Sequence, residues 1–174
     1  CPARIPAAEV ERIATIMGPT RAAAQLQQRP APATGNIIKL AWLRYWVELP
    51  RGGTYALSID CAFKDTQASS FVVIQVWYVV GANRYLIEED RDRRAFVETL
   101  KHILEVSGRY PEALLKLIED KANGSAIINV LKDKIPGLVP VNPGADSKEA
   151  RLRATEPLWA AGNVWLPHPT EARY

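Results

Sequence analysis

The sequence predicts an α/β fold with a mixed central sheet flanked by helices. Three observations predict it. Apolar runs at Tyr55–Cys61, Phe71–Val80 and Arg84–Glu89 follow one another closely, as in a three-stranded meander. From Asp92 onward, helical periodicity alternates with the short apolar runs Ala113–Glu119 and Leu138–Val141, the pattern of crossover units in a partly parallel sheet. The 174 residues, 48% hydrophobic and 24% charged, suffice for one domain with a buried core.

The first 53 residues read as lead-in elements and a connector. Val10, Ile13 and Ile16 recur at helical spacing after Pro6, and Gly18 stops that helix. A second short helix, TRAAAQLQQ, gives way to RPAPATG, whose prolines and glycine mark a linker. Ile37–Leu49 is apolar and aromatic; it fits a strand followed by a short helical turn, but periodicity alone does not separate the two there. Pro50-Arg51-Gly52-Gly53 is a turn signal.

A domain over 54–174 follows. Gly81-Ala82-Asn83 joins the second and third strands as a hairpin turn. Asp92 is expected to cap a helix to about Ser107, with Phe96, Leu100, Ile103 and Leu104 inward and Gly108 as the stop. Ala113–Glu119 is the fourth strand, and Asn123-Gly124-Ser125 opens a helix through Leu131. After the short strand Leu138–Val141, a helix from about Ser147 to Ala161 ends at Gly162, and Asn163–Leu166 is a last strand. Most of the five tryptophans are expected as core or packing residues, with Trp42 and Trp46 alternatively covering an interface.

Charge and cysteine content exclude little. A net charge of +3 is mildly basic, so the local distribution of charge matters more than the sum. Cys1 and Cys61 share no metal-ligand spacing, and Cys61 lies in a core strand, so a reduced cytosolic protein is expected. No apolar run reaches the roughly 18 residues of a spanning helix, and no signal peptide is visible. A chain that starts on Cys reads as a fragment of something longer.

The chemistry-bearing residues gather at strand ends. Asp60 closes the first core strand, and Glu119-Asp120 closes the fourth. In open α/β sheets, sites form at the carboxyl ends of strands. If these two strands are adjacent and parallel, their acids meet at one edge. Hard oxygen ligands there suit Mg²⁺ or Mn²⁺, and a two-ion arrangement can activate water for phosphodiester cleavage. A strand-end acid taken singly is more often solvated than liganding. Glu119 and Asp120 are adjacent, so only one faces the same side as Asp60. Asp65 reads as a turn residue.

Lys148, Arg151 and Arg153 line one helix, preceded by Lys132 and Lys134; Lys148 and Arg151 are three apart, on one face. Turned toward the acids, they would hold phosphates; otherwise they form a solvated face with Asp146, Glu149 and Glu156. The run EEDRDRR at 88–94 reads as a salt-bridged strand-to-helix corner without chemistry. His102 and His168 lack partners at ligand spacing. Neither a GxxxxGK[ST] phosphate loop nor a GxSxG elbow occurs.

The segment QLQQRPAPATGNIIKLAWLRYW resembles the connector between the two domains of tailed-phage terminase large subunits, and CPARIPAAEVERIATIMGP resembles the end of that same connector. SIDCAFKDTQASSFVVI resembles their first nuclease strand, LIEDKANGSAIINVLK their second acidic motif, and GADSKEARLRATEPLWAAGNVWLP their basic helix and the strand after it. These segments cover nearly the whole chain in the family's order.

The resemblance implies a ribonuclease-H-like nuclease domain that cuts concatemeric double-stranded viral DNA during genome packaging in the host cytoplasm. It implies Asp60 and Asp120 as catalytic metal ligands, with Glu119 as the rival to Asp120, and Lys121, Lys148, Arg151 and Arg153 as DNA contacts. Implied partners are an N-terminal ATPase domain of the same polypeptide, a portal protein and a small terminase subunit, with no membrane. The family's third acidic motif has no counterpart before Tyr174, so weak metal binding and weak or absent cutting are expected of these residues alone. The alternatives are another ribonuclease-H-like nuclease of resolvase or transposase type, and a non-catalytic DNA-binding or portal-docking module.

Overall fold

In a computed structural model, the structure describes Arg12 and residues 37–61, 70–120 and 124–169. The chain divides into two compact units, Cys1–Ala41 and Trp42–Tyr174. In the first, Arg12 is helical and exposed, and the helices and linker expected before residue 37 otherwise lie outside the described residues. The second holds a seven-stranded sheet.

After a 3-10 turn at Leu40–Trp42, the strands are β1 (Arg44–Trp46), β2 (Thr54–Cys61), β3 (Ser70–Val80), β4 (Asn83–Arg94), β5 (Leu115–Glu119), β6 (Leu138–Val141) and β7 (Val164–Pro167). The described helices after them are α1 (Phe96–Arg109), α2 (Gly124–Leu131) and α3 (Lys148–Ala160). The sheet order is β1-β7-β4-β3-β2-β5-β6. Only the central β3 runs antiparallel to its neighbours; the other pairings are parallel. The carboxyl ends of β2, β4, β5 and β6 therefore share one edge.

Period-2 alternation builds the core. Leu57, Ile59 and Cys61 of β2, Val72, Ile74 and Val76 of β3, and Ile118 of β5 point to one face. There they meet Ile103 and Val106 of α1 and Ile127, Ile128 and Leu131 of α2. Each such side chain contributes about 1.5–3 kcal/mol when removed from water. The opposite face carries Ala56, Ser58 and Asp60 of β2, Val73 and Gln75 of β3, and Leu117 and Glu119 of β5, none of them fully buried.

Several expected boundaries move. The meander and the alternation after it hold, but β4 continues through EEDRDRR to Arg94, because the eleven residues of β3 pair it all the way to Ser70↔Arg94. Asp92 is thus a strand residue whose Oδ1 accepts from the Arg93 amide at 2.7 Å, not a helix cap. The helix starts at Phe96 behind Ala95, and Glu98 reaches back to accept from the Ala95 amide at 3.1 Å. Its buried stripe becomes Thr99, Ile103 and Val106; Phe96 and Leu104 are exposed, and Gly108 lies inside the last turn. Thr99 tolerates burial because its hydroxyl donates to the Ala95 carbonyl at 2.9 Å.

β5 begins two residues later than expected, and in 37–49 the helical turn precedes the strand rather than following it. No tryptophan is among the buried core residues. The Trp46 indole N–H donates to Leu86 O at 2.8 Å and that of Trp77 to Gln75 Oε1 at 3.2 Å, which holds their polar edges at the sheet surface.

Candidate metal and nucleic-acid site

The parallel pairing of β2 with β5 sets the site. Its ladder runs from Ala56↔Leu115 to Ile59↔Ile118, so one step on, Asp60 and Glu119 stand beside each other on the non-core face. Each strand places its acid there because an apolar partner one residue earlier fixes the alternation: Ile59 and Ile118 are both buried. Adjacency of the two strands, a condition when only the sequence is known, is a fact of the fold.

Two carboxylates side by side disfavour joint ionisation. Burial first, and the Glu119 charge second, push the Asp60 carboxyl above the ordinary range; Lys148 and Arg151 pull it back. Both cations come from the first turn of α3, where Ser147 caps the helix by accepting from the Ala150 amide at 3.1 Å. Arg151 Nη1 lies 3.5 Å from Glu119 Oε2, and its Nε is buried without a hydrogen-bond partner among the described residues. Arg151 thus does turn toward the acids, and the Lys148 charge is near enough to act on Asp60. Arg153 does not share this: it pairs with Glu149 at 2.9 Å along the exposed helix surface. Lys132 and Lys134 follow α2, and Lys134 lines a separate small cavity with Lys116. Lys121 and Asp65 lie outside the described residues.

Asp120 has different surroundings. Its amide donates to Val141 O at 2.8 Å, extending the β5–β6 ladder, and its Oδ1 accepts from Ser125 Oγ at 2.5 Å. It lies one residue beyond Glu119, past the end of β5, where continued alternation would turn it to the other side of the sheet. Among the described residues, no group of three or more His, Cys, Asp or Glu is close enough to hold a metal.

Gly124 is a site residue that the sequence alone marks only as part of a small-residue turn. A Cβ on it would stand 2.1 Å from the carbonyl oxygen of Glu119. α2 therefore starts directly against the backbone that carries the acid, and only glycine permits the approach. The Asn-Gly pair ahead of a helix is the signal that points to it.

Cys61 is a packing residue. It is free and buried, and its thiol is pushed up to about 12, by burial first and by Asp60 second. His102 sits on the core side of the sheet, beside Asp90 and 3.6 Å from Glu105. His168 donates its amide to Trp46 O and packs edge-on to Tyr45. No helix among the described residues is long and apolar enough to cross a membrane.

The model of the Terminase RNaseH-like domain family matches residues 57–173, more than half of the chain. The fold is similar to the crystal structure of the large terminase nuclease from thermophilic phage G20c: 19% identity, TM-score 0.57, 79% of this chain and 77% of that one covered. The magnesium-bound form of that nuclease gives 18% identity and a TM-score of 0.60 over 80% and 77%. The large terminase of a second thermophilic bacteriophage gives 12% identity and a TM-score of 0.56; it covers 94% of this chain, which spans 41% of that longer protein. No curated protein matches the sequence.

Proposed function

The chain belongs to the terminase RNaseH-like domain family, and on that premise we propose that it is a metal-dependent endonuclease domain that cuts concatemeric double-stranded viral DNA during genome packaging. The observation that carries this reading is the register that sets Asp60 beside Glu119 at the carboxyl edge of β2 and β5, with Lys148 and Arg151 against them.

The donor set fits a hard divalent cation. Two carboxylates share a half-buried edge, and the charge of one raises the carboxyl of the other, a conflict that a cation relieves. Asp60 and Glu119 are the residues that would hold Mg²⁺ or Mn²⁺, and Asp120 is the second carboxylate of the alternative set. The phage G20c nuclease has been crystallised with magnesium, zinc and cobalt. Bound here, the ion supplies a Lewis acid and lowers the pKa of coordinated water.

The remaining work falls to this chain's own groups. Asp60 and Glu119 would supply the ligand oxygens from adjacent strands. Arg151 transfers its guanidinium from Glu119 to a phosphate oxygen, where its buried Nε finds the acceptor it lacks. Lys148 adds a second positive charge at the same edge, and Lys121 and Arg153 are the further residues proposed to contact the DNA backbone. With only Asp60 and Glu119 brought side by side among the described residues, affinity for the ion and cutting by these residues alone are expected to be weak. In the full assembly the domain works with an N-terminal ATPase domain, the portal and the small subunit, in the cytoplasm of the host.

The test is a Mn²⁺ titration of the 174-residue chain, followed by thermal unfolding, duplex binding and plasmid cleavage. Mn²⁺ raises the unfolding midpoint of the wild type and not that of Asp60→Asn, while both proteins retain duplex. A chain whose midpoint ignores Mn²⁺ and which retains no duplex sinks the proposal. Duplex retention with a midpoint indifferent to both Mn²⁺ and the substitution marks a non-catalytic DNA-binding module instead.

A further inference from the structure

Strand geometry sorts the charge run 88–94 in a way its composition conceals. On β4, Glu88, Asp90, Asp92 and Arg94 pair with Val76, Ile74, Val72 and Ser70, and so lie on the core side. Those acids are answered there: Glu88 by Arg109 at 2.7 Å and by the Tyr110 hydroxyl at 2.8 Å, Asp90 by Arg94 at 3.0 Å and by His102, Asp92 by Arg94 at 3.7 Å. Glu89, Arg91 and Arg93 take the other face, which is the face of Asp60 and Glu119. Glu89 accepts from Gln75 Nε2 at 2.5 Å. Arg91 and Arg93 are exposed, and both guanidinium carbons lie over the ring of Phe71, at 4.6 and 4.5 Å from its centroid. Phe71 is itself 42% exposed, a large apolar ring at the sheet edge used as a shelf for two cations.

Building on the nuclease reading above, we propose that Arg91 and Arg93, stacked on Phe71, form a second phosphate-contact point that positions the DNA duplex relative to the acid pair. The register supplies the geometry. Asp60 pairs with Val73 and Val73 with Arg91, so the three stand in one row across β2, β3 and β4. At about 4.8 Å per strand the row spans about 10 Å, the axial rise of about three nucleotides of one DNA strand. A guanidinium stacked on an aromatic ring is held in a plane whose N–H edge suits bidentate contact with phosphate. Such contacts fix register without reading sequence. The row thus places anion-binding groups on both sides of Asp60: Lys148 and Arg151 from α3, and Arg91 and Arg93 from β4.

The test measures binding of a short DNA duplex to the full chain by fluorescence anisotropy across a salt series, with Mn²⁺ stabilisation as a parallel readout. The double variant Arg91→Ala/Arg93→Ala binds about tenfold more weakly at low salt, and its salt slope is shallower by about two. Its Mn²⁺ response is unchanged. Arg91→Lys/Arg93→Lys restores most of the slope, since charge is retained on the same face. Arg109→Ala, on the core side, leaves binding as in the wild type. A double alanine variant that binds with wild-type affinity and slope overturns the proposal and leaves the nuclease reading standing. A wild type that retains no duplex at low salt overturns both.

Discussion

Arg151 on α3 holds Nη1 3.5 Å from Oε2 of Glu119, so a helix cation already sits against the carboxylate that stands next to Asp60. In the absence of metal it offsets the crowding of two acids. On the proposed reading it would repel a bound ion, and a DNA phosphate would be a better partner for it. Arg151→Met is therefore expected to tighten Mn²⁺ binding about two- to fivefold, the worth of a partly exposed pair, while weakening duplex binding. Calorimetric titration of Mn²⁺ and anisotropy of a labelled duplex measure the two effects. Changes of the same sign in both contradict the arrangement.

The three acids separate by substitution. Asp60→Asn and Glu119→Gln are each expected to remove the Mn²⁺-induced rise in unfolding midpoint and to lower any cleavage about a hundredfold or more. Asp120→Asn is expected to keep much of the Mn²⁺ response, because the Asp120 carboxylate is engaged by Ser125 at the start of α2. Loss of the response in Asp120→Asn, with retention in Glu119→Gln, would exchange their roles.

Gly124→Ala tests backbone support of the site. Helix propensity alone predicts a gain of about 1 kcal/mol. The geometry predicts the opposite sign, since the new methyl meets the Glu119 carbonyl, which is backbone and cannot rotate away. A loss of about 1–3 kcal/mol is expected from such overpacking, with a weaker Mn²⁺ response. Urea unfolding with and without Mn²⁺ decides, and a stabilised variant refutes the contact.

The strands that carry the acids were legible in the sequence because buried residues alternate cleanly. Ile59 and Ile118 announce that Asp60 and Glu119 face away from the core. That β2 and β5 are parallel neighbours, in a register that sets Asp60 beside Glu119, was not legible, since it is a tertiary fact. The run 88–94 misled because charge density looks like a loop. It stays a strand because β3 is long enough to pair it, and alternation then sends its acids to α1 and Arg91 and Arg93 to the other face. The start of α1 moved for the same reason: residues to Arg94 are committed to the ladder, so the buried helical stripe starts at Thr99.

The core side of the same strand offers a pH test away from the acid pair. The Tyr110 hydroxyl donates to Glu88 Oε2 at 2.8 Å and is pushed up to about 12, by burial first and then by its hydrogen bond to Glu88 and the Glu88 charge. The folded protein thus holds this proton beyond the ordinary tyrosine value of 10.0. Stability from the contact is fully present below that value and is lost as pH rises through about 12, because in that window the folded state binds more protons than the unfolded one. Tyr110→Phe should cost about 0.5–1.5 kcal/mol near neutral pH, and its stability should fall less steeply in the alkaline window. The slope is reduced and not abolished, because Tyr55, 5.6 Å away ring to ring, is also raised by burial. Urea unfolding at about pH 8 and about pH 11 checks both parts. Parallel declines in the two proteins would mean that the Tyr110–Glu88 bond does not carry the alkaline loss.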